Sequence, residues 1–187
     1  MGNQAALLSG FVLATCTACN GCQASGGHPS TPPGVTLASI TVTSTAFAAN
    51  GPIPVDNTCD GADRSPPLTW SAPPQKTRSI AVLVDDPDAP GGDFVHWVAF
   101  NLPGTIVSLG EGADIGALGG ISGTNGFEHL GYGGPCPPRR EMHRYAFRVR
   151  ALDAPLDAGP GATRDAVEAA MSGHVLAEGT LLGVFGH

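Results

Sequence analysis

Residues Ser79 to Val84 read SIAVLV, a continuous apolar run. Such a run suits a strand buried on both faces. Phe94 to Leu102, FVHWVAFNL, follows as a second strand. Strict alternation there puts Val95, Trp97 and Ala99 on one face, and Phe94, His96, Val98 and Phe100 on the other. Arg144 to Ala151 alternates cleanly, with Tyr145, Phe147 and Val149 facing one way and Arg144, Arg148 and Arg150 the other. Val35 to Thr43, VTLASITVT, reads as an opening strand with Val35, Leu37, Ser39, Thr41 and Thr43 on one side. Leu68 to Ser71 is a short apolar return that contains Trp70.

One helix is predicted. Thr163 can cap it, Ala166, Val167, Ala170 and Met171 form its apolar stripe, and Gly173 ends it. After it, Val175, Ala177, Leu181 and Phe185 share one parity of a last strand. Between the strands, turns dominate, since Gly and Pro number 27 and 17 of 187 residues. The fold class expected is mainly β, a β-sandwich with one short helix near the C-terminus, in a single domain spanning 35–187.

The charge balance removes one class of function. The net charge is -7, and Lys76 is the one lysine, whereas a nucleic-acid binder needs a basic surface. No apolar run reaches the roughly 18 residues that cross a bilayer as a helix. The stretch AALLSGFVLAT, residues 5 to 15, fits the apolar core of a signal peptide. Leu13-Ala14-Thr15-Cys16 resembles a bacterial lipobox, with Cys19 as a second candidate for the lipidated residue. Residues 1–19 are therefore expected to be a signal and lipobox region, and 20–34, NGCQASGGHPSTPPG, a flexible tether. The expected location is outside the cytoplasm, as a periplasmic or membrane-anchored lipoprotein. A cytoplasmic protein is the alternative if the N-terminal segment is not a signal. Membrane contact is expected through that anchor alone.

Three segments carry chemistry. Asp85-Asp86-Pro87-Asp88-Ala89-Pro90 closes the buried strand, where a carboxylate needs a partner; the plain alternative is an acidic turn facing water. It is no EF-hand, because Pro90 takes a ligand position and Trp97 stands in place of the bidentate Glu. His96 lies on an apolar strand face, where a hydrogen-bonded core histidine is the common case. Gly131-Tyr132-Gly133-Gly134-Pro135-Cys136-Pro137-Pro138 is a loop whose glycines let backbone N–H groups approach an anion and whose prolines keep it rigid. His143 and Tyr145, two apart, point to one face of a strand. Cys59 and Cys136 are the cysteines of the folded part. They form a disulfide if the protein is exported, or remain two separate thiols.

Taken together, these segments resemble the phosphatidylethanolamine-binding protein family, above all its bacterial branch related to Raf kinase inhibitor protein. The resemblance rests on Cys59-Asp60-Gly61-x-Asp63-x-Ser65-Pro66-Pro67-Leu68-x-Trp70, Asp86-Pro87-Asp88-Ala89-Pro90, Phe94-Val95-His96-Trp97, Asn101-Leu102-Pro103, Gly131-Tyr132-x-Gly134-Pro135-Cys136-Pro137-Pro138 and His143-Arg144-Tyr145. It covers about residues 36 to 186. It implies a β-sandwich of that family's type with a small anion pocket at one end. Asp86 and His96 match the pocket acid and histidine, Gly134, Pro137 and Pro138 a rigid wall, and His143 and Tyr145 the opposite side. Asp88 and Arg144 match residues expected to pair structurally. Arg139-Arg140-Glu141-Met142 stands where the family has a glycine-containing turn, which brings extra charge to the pocket rim. The long C-terminal helix of eukaryotic members is not expected here, since no stretch of residues 175–187 reads as a helix.

The expected function is non-enzymatic binding of a small phosphorylated or zwitterionic head group, such as phosphoethanolamine, with no metal and no cofactor. A protein-interaction module that inhibits a protease or kinase is the alternative. A hydrolase using Asp86 and His143 is the third reading. It lacks a Gly-x-Ser-x-Gly turn, a metal triad and a phosphate-binding P-loop.

Overall fold

The computed structural model describes residues 37–187. The signal, lipobox and tether readings fall outside the described residues. Among the described residues, ten strands, one α-helix and a short 3-10 helix (Val55–Asn57) make up the fold. The strands are β1 (Ala38–Ser39), β2 (Val42–Thr43), β3 (Gly51–Pro52), β4 (Leu68–Trp70), β5 (Ser79–Asp86), β6 (Phe94–Pro103), β7 (Ser108–Leu109), β8 (Ile121–Ser122), β9 (Met142–Leu152) and β10 (Val175–Gly186), with α1 (Arg164–Met171) before the last. The larger sheet runs β1-β10-β9-β5-β6-β8, with β3 also pairing to β10, and the smaller runs β2-β4-β7.

Every residue of β5 is buried. Ile80, Val82 and Val84 enter the core between the two sheets, beside Leu68, Trp70 and Leu109 of the smaller one. Ala81 and Leu83 enter a second core, closed by Val167 and Met171 of α1 and by Leu156. The unbroken apolar run is explained by these two covers, a sheet on one face and a helix on the other. Each side chain of this size buried from water contributes about 1.5–3 kcal/mol. The helix lies where its sequence places it: Thr163 Oγ1 accepts from Ala166 N–H at 3.3 Å, and Gly173 takes a positive φ of 82° just beyond its end. In β9, Tyr145, Phe147 and Val149 face the inter-sheet core, as the alternation predicts.

The simple alternation fails in the opening segment, in β6 and in β10. The opening segment is not one strand: β1 pairs with β10 in one sheet, and β2 with β4 in the other. Ile40 and Val42 are its buried residues, on the parity opposite to Leu37, Ser39, Thr41 and Thr43. In β6, Val84 faces Trp97 but Asp85 faces Val95, so His96 is an inserted residue. Val95 therefore packs on the helix side with Val98 and Phe100, while Trp97 and Ala99 lie between the sheets. The grouping of His96 with Val98 and Phe100 is corrected by this bulge, since an extra residue switches the facing of everything beyond it. In β10 a register shift between Val175 and Ala177 sends Val175 to the helix side, away from Ala177, Leu181 and Phe185.

Candidate functional site

β5 ends at Asp86 on the same edge of the sheet where β6 begins with Phe94 and β9 with Met142. A pocket of about 320 Å³ opens there, lined by Asp86, Ala89, Pro90, Phe94, His96, Phe127, Cys136, Pro137, Pro138 and His143. Asp85 and Asp86 are neighbours in a strand and point to opposite faces. Asp85 turns away from the pocket and is held by Arg148 and Arg164. Asp86 turns toward it.

Asp86 and His143 are each 4% exposed, and His143 Nδ1–H donates to Asp86 Oδ2 at 2.7 Å. The other oxygen of Asp86 accepts the backbone N–H of Asp88 at 2.9 Å, closing the turn around Pro87. Asp88 in turn grips Arg144 of β9 by a fork, Nε to Oδ2 at 2.8 Å and Nη2 to Oδ1 at 2.6 Å, and also accepts the backbone N–H of Arg144 at 2.9 Å. These hydrogen bonds from Arg144 hold the Asp88 carboxyl well below the usual carboxylate range. The fork ties the turn after β5 to β9, and so brings Asp86 to His143.

The second nitrogen of His143, Nε2, lies 3.1 Å from Glu141 Oε2. Carboxylates only accept, so both ring nitrogens donate and the ring is an imidazolium. Burial alone would lower its pKa, but the hydrogen bonds to Asp86 and Glu141 and the charges of both acids outweigh burial and raise it. His96 differs. Its Nδ1–H donates to the Gly133 carbonyl at 2.7 Å. Burial lowers its pKa further than that bond and the nearby Asp86 charge raise it. His96 is therefore a neutral ring, leaving Nε2 with a lone pair. It stacks edge-on against Phe94, Phe127 and Tyr145.

Tyr145 lies behind this layer rather than on the pocket lining. It is fully buried and its hydroxyl has no hydrogen-bond partner. Burial and the Asp86 charge push its pKa up. Gly134 is likewise off the lining. Its N–H donates to Asp63 Oδ1 at 2.6 Å, and a Cβ there would meet Thr58 Cα at 2.7 Å.

The glycine loop does not present its amides to the pocket as its composition suggests. Gly131 N–H goes to the Gly123 carbonyl and Gly133 N–H to that of His96. With Gly134 on Asp63, the loop's glycines serve its own folding. The loop is held from outside by the disulfide Cys59–Cys136, whose Cα atoms are 5.5 Å apart, and by His187 Nε2–H donating to the Pro137 carbonyl at 2.8 Å.

The pattern reading did not single out the aromatic wall, Phe94 and Phe127, or the Glu141 contact. Phe127 is one of two aromatics, with Tyr132, in a Gly-rich stretch without periodicity, so no pattern marks it for the wall. Among the described residues, no group of three or more His, Cys, Asp or Glu is arranged to hold a metal ion.

The sequence model described as phosphatidylethanolamine-binding protein matches residues 43–186. The chain belongs to the phosphatidylethanolamine-binding protein family. A UPF0098 protein of Methanothermobacter thermautotrophicus is 48% identical over 143 residues, 75% of this chain and 94% of that one. Among solved structures, a putative phosphatidylethanolamine-binding protein homologue from Chlamydia trachomatis aligns with a TM-score of 0.75 at 36% identity, covering 80% of this chain and 98% of that one. YbcL of Escherichia coli, described as a member of the mammalian family, aligns at 0.74 and 31% identity, covering 80% and 99%. Within the phosphatidylethanolamine-binding protein fold, the pocket therefore sits among the residues that carry the motif resemblance.

Proposed function

We propose that this protein binds a small phosphorylated or zwitterionic head group, of the phosphoethanolamine kind, in the pocket between Asp86, His96 and His143. The observation that carries this reading is one imidazolium and one neutral imidazole on the same lining. His143 offers a charged donor, suited to a phosphate oxygen. His96 Nε2 and the remaining lone pairs of Asp86 offer acceptors, suited to an ammonium. Phe94, Phe127, Pro90, Pro137 and Pro138 supply apolar walls for the short carbon linker. The unpartnered Tyr145 hydroxyl lies behind the site, a reserve donor if the wall shifts. The one lining sulfur, Cys136, is bonded to Cys59, so the lining holds no free thiol or hydroxyl nucleophile, which weighs toward binding. The same bond supports an oxidising compartment, in line with an exported, lipid-anchored protein.

The test is a calorimetric titration of the full chain with O-phosphoethanolamine and with inorganic phosphate, with His143→Ala and Asp86→Ala as controls. Saturable binding lost in both variants is expected. Preference for phosphoethanolamine would assign the acceptors to its ammonium. No heat of binding at millimolar ligand would overturn the reading in favour of a protein partner.

A further inference from the structure

Glu141 holds a position that the pocket's own ligand would need. His143 Nδ1 is committed to Asp86, so Nε2 is the one donor of that ring able to meet an incoming anion, and Glu141 Oε2 already sits on it at 3.1 Å. Glu141 arrives there on a tight turn. Its N–H donates to the Pro138 carbonyl at 3.0 Å, and Arg140 N–H to the His187 carbonyl at 2.7 Å. Arg140, third in the turn, has a φ of +71°. Glycine enters that region freely, whereas a residue with a Cβ is strained there. A strained turn that delivers a carboxylate to a buried histidine is an arrangement that structure alone does not require, because the Glu141 side chain is 53% exposed. The flanking Arg139 and Arg140 are exposed, and neither forms an ion pair among the described residues.

We propose that Glu141 is an internal anion that occupies His143 Nε2 in the resting protein, so that a ligand enters only by displacing it. This rests on the head-group reading above. Two carboxylates face the ring, Asp86 from β5 and Glu141 from the turn, and the neighbouring Asp88–Arg144 pair is internally neutralised. With two carboxylates against one imidazolium, the resting site is net negative. A simple carboxylate gains nothing by replacing Glu141. A phosphate dianion brings two charges, one more than the carboxylate it displaces, and exposed Arg139 and Arg140 belong to the same turn as Glu141. The cap thereby selects phosphate monoesters over monocarboxylates.

The test compares the full-length wild type with Glu141→Gln and Glu141→Ala in two measurements. The first is titration with inorganic phosphate and with acetate. Removing one negative charge about 6 Å from a phosphate dianion in water-like surroundings predicts about tenfold tighter phosphate binding. Acetate is expected to become a measurable ligand in the variants alone. The second measurement needs no ligand: the ring nitrogen resonances of His143 should shift in both variants, with the imidazolium losing its proton at lower pH than in the wild type. Phosphate bound equally by all three proteins would overturn the cap and leave the head-group pocket standing. Phosphate bound by the wild type, and about tenfold more tightly by the variants, would support both. Unchanged His143 resonances would overturn the Glu141 contact itself, whatever binds. Binding by none of the three would sink the pocket and the cap together.

Discussion

Opening the Cys59–Cys136 bond should cost this domain a large part of its stability. The bond spans a sequence separation of 77. For a loop of that length, the entropy removed from the unfolded chain corresponds to about 4.5 kcal/mol at 25 °C. Both cysteines occupy exposed positions, so serine in their place buries no new polar group and the effect lies in the unfolded state. For a domain of this size a urea dependence of about 2 kcal/mol per molar turns that loss into a midpoint lower by about 2 M. The melting temperature should fall by roughly 10–15 °C. The assay is urea unfolding of the full chain and of the Cys59→Ser, Cys136→Ser double variant, each with and without reductant. Cys16, Cys19 and Cys22 remain in both proteins, so any difference reports this bond alone. Reductant should bring the wild type down to the variant's midpoint and leave the variant where it was. Equal midpoints in all four samples would refute the reasoning, because a bond that closes so long a loop cannot be thermodynamically silent.

The two pocket histidines should titrate in opposite directions from the ordinary 6.5. His143, raised in the folded state, contributes stability that is complete below the unfolded pKa and is lost as pH rises through the folded one; His96, lowered, contributes stability that is complete above the unfolded pKa and is lost as pH falls toward the folded one. Ring resonances followed against pH should show His143 protonated after His96 has become neutral, and the reverse order would contradict the geometry. Gly134→Ala should destabilise the protein by about 1–3 kcal/mol through overpacking. The new methyl would stand 2.6 Å from Asp63 Oδ1 and 2.8 Å from the Asn57 carbonyl oxygen, and an unchanged urea midpoint would mean that the loop yields more readily than its contacts imply.

Residue type and local order settled a good deal. A run without polar interruption, SIAVLV, can lie only where both faces are covered, and β5 is covered by a sheet and a helix. Clean alternation from Arg144 to Ala151 was enough to orient β9, because β9 pairs with β10 without a register shift over that stretch and with β5 from Ala146 onward. The cap of α1 was legible because a threonine side chain and the N–H it accepts are three residues apart. The motif residues Asp86, His96, Pro137, Pro138 and His143 could be grouped from their order along the chain, and they do line one pocket. Tyr145 and Gly134 belong to the same motifs, yet packing sets them behind it.

What the tertiary structure decided lies wherever a choice depends on a partner far along the chain. The face that His96 takes follows from one inserted residue opposite β5, and a bulge has no period of its own to read. The use of the loop amides was open until Asp63 and the His96 carbonyl came within reach of them. The opposite protonation of two histidines on one lining comes from their neighbours, a backbone carbonyl for His96 and two carboxylates for His143. Glu141 reaches Nε2 of His143 because a turn with Arg140 at positive φ bends it there. Sequence determines which groups are available and roughly where along each strand they stand. Distances of about 3 Å between them exist only once the sheets have closed, because a hydrogen bond depends on position and direction, which no one-dimensional pattern carries.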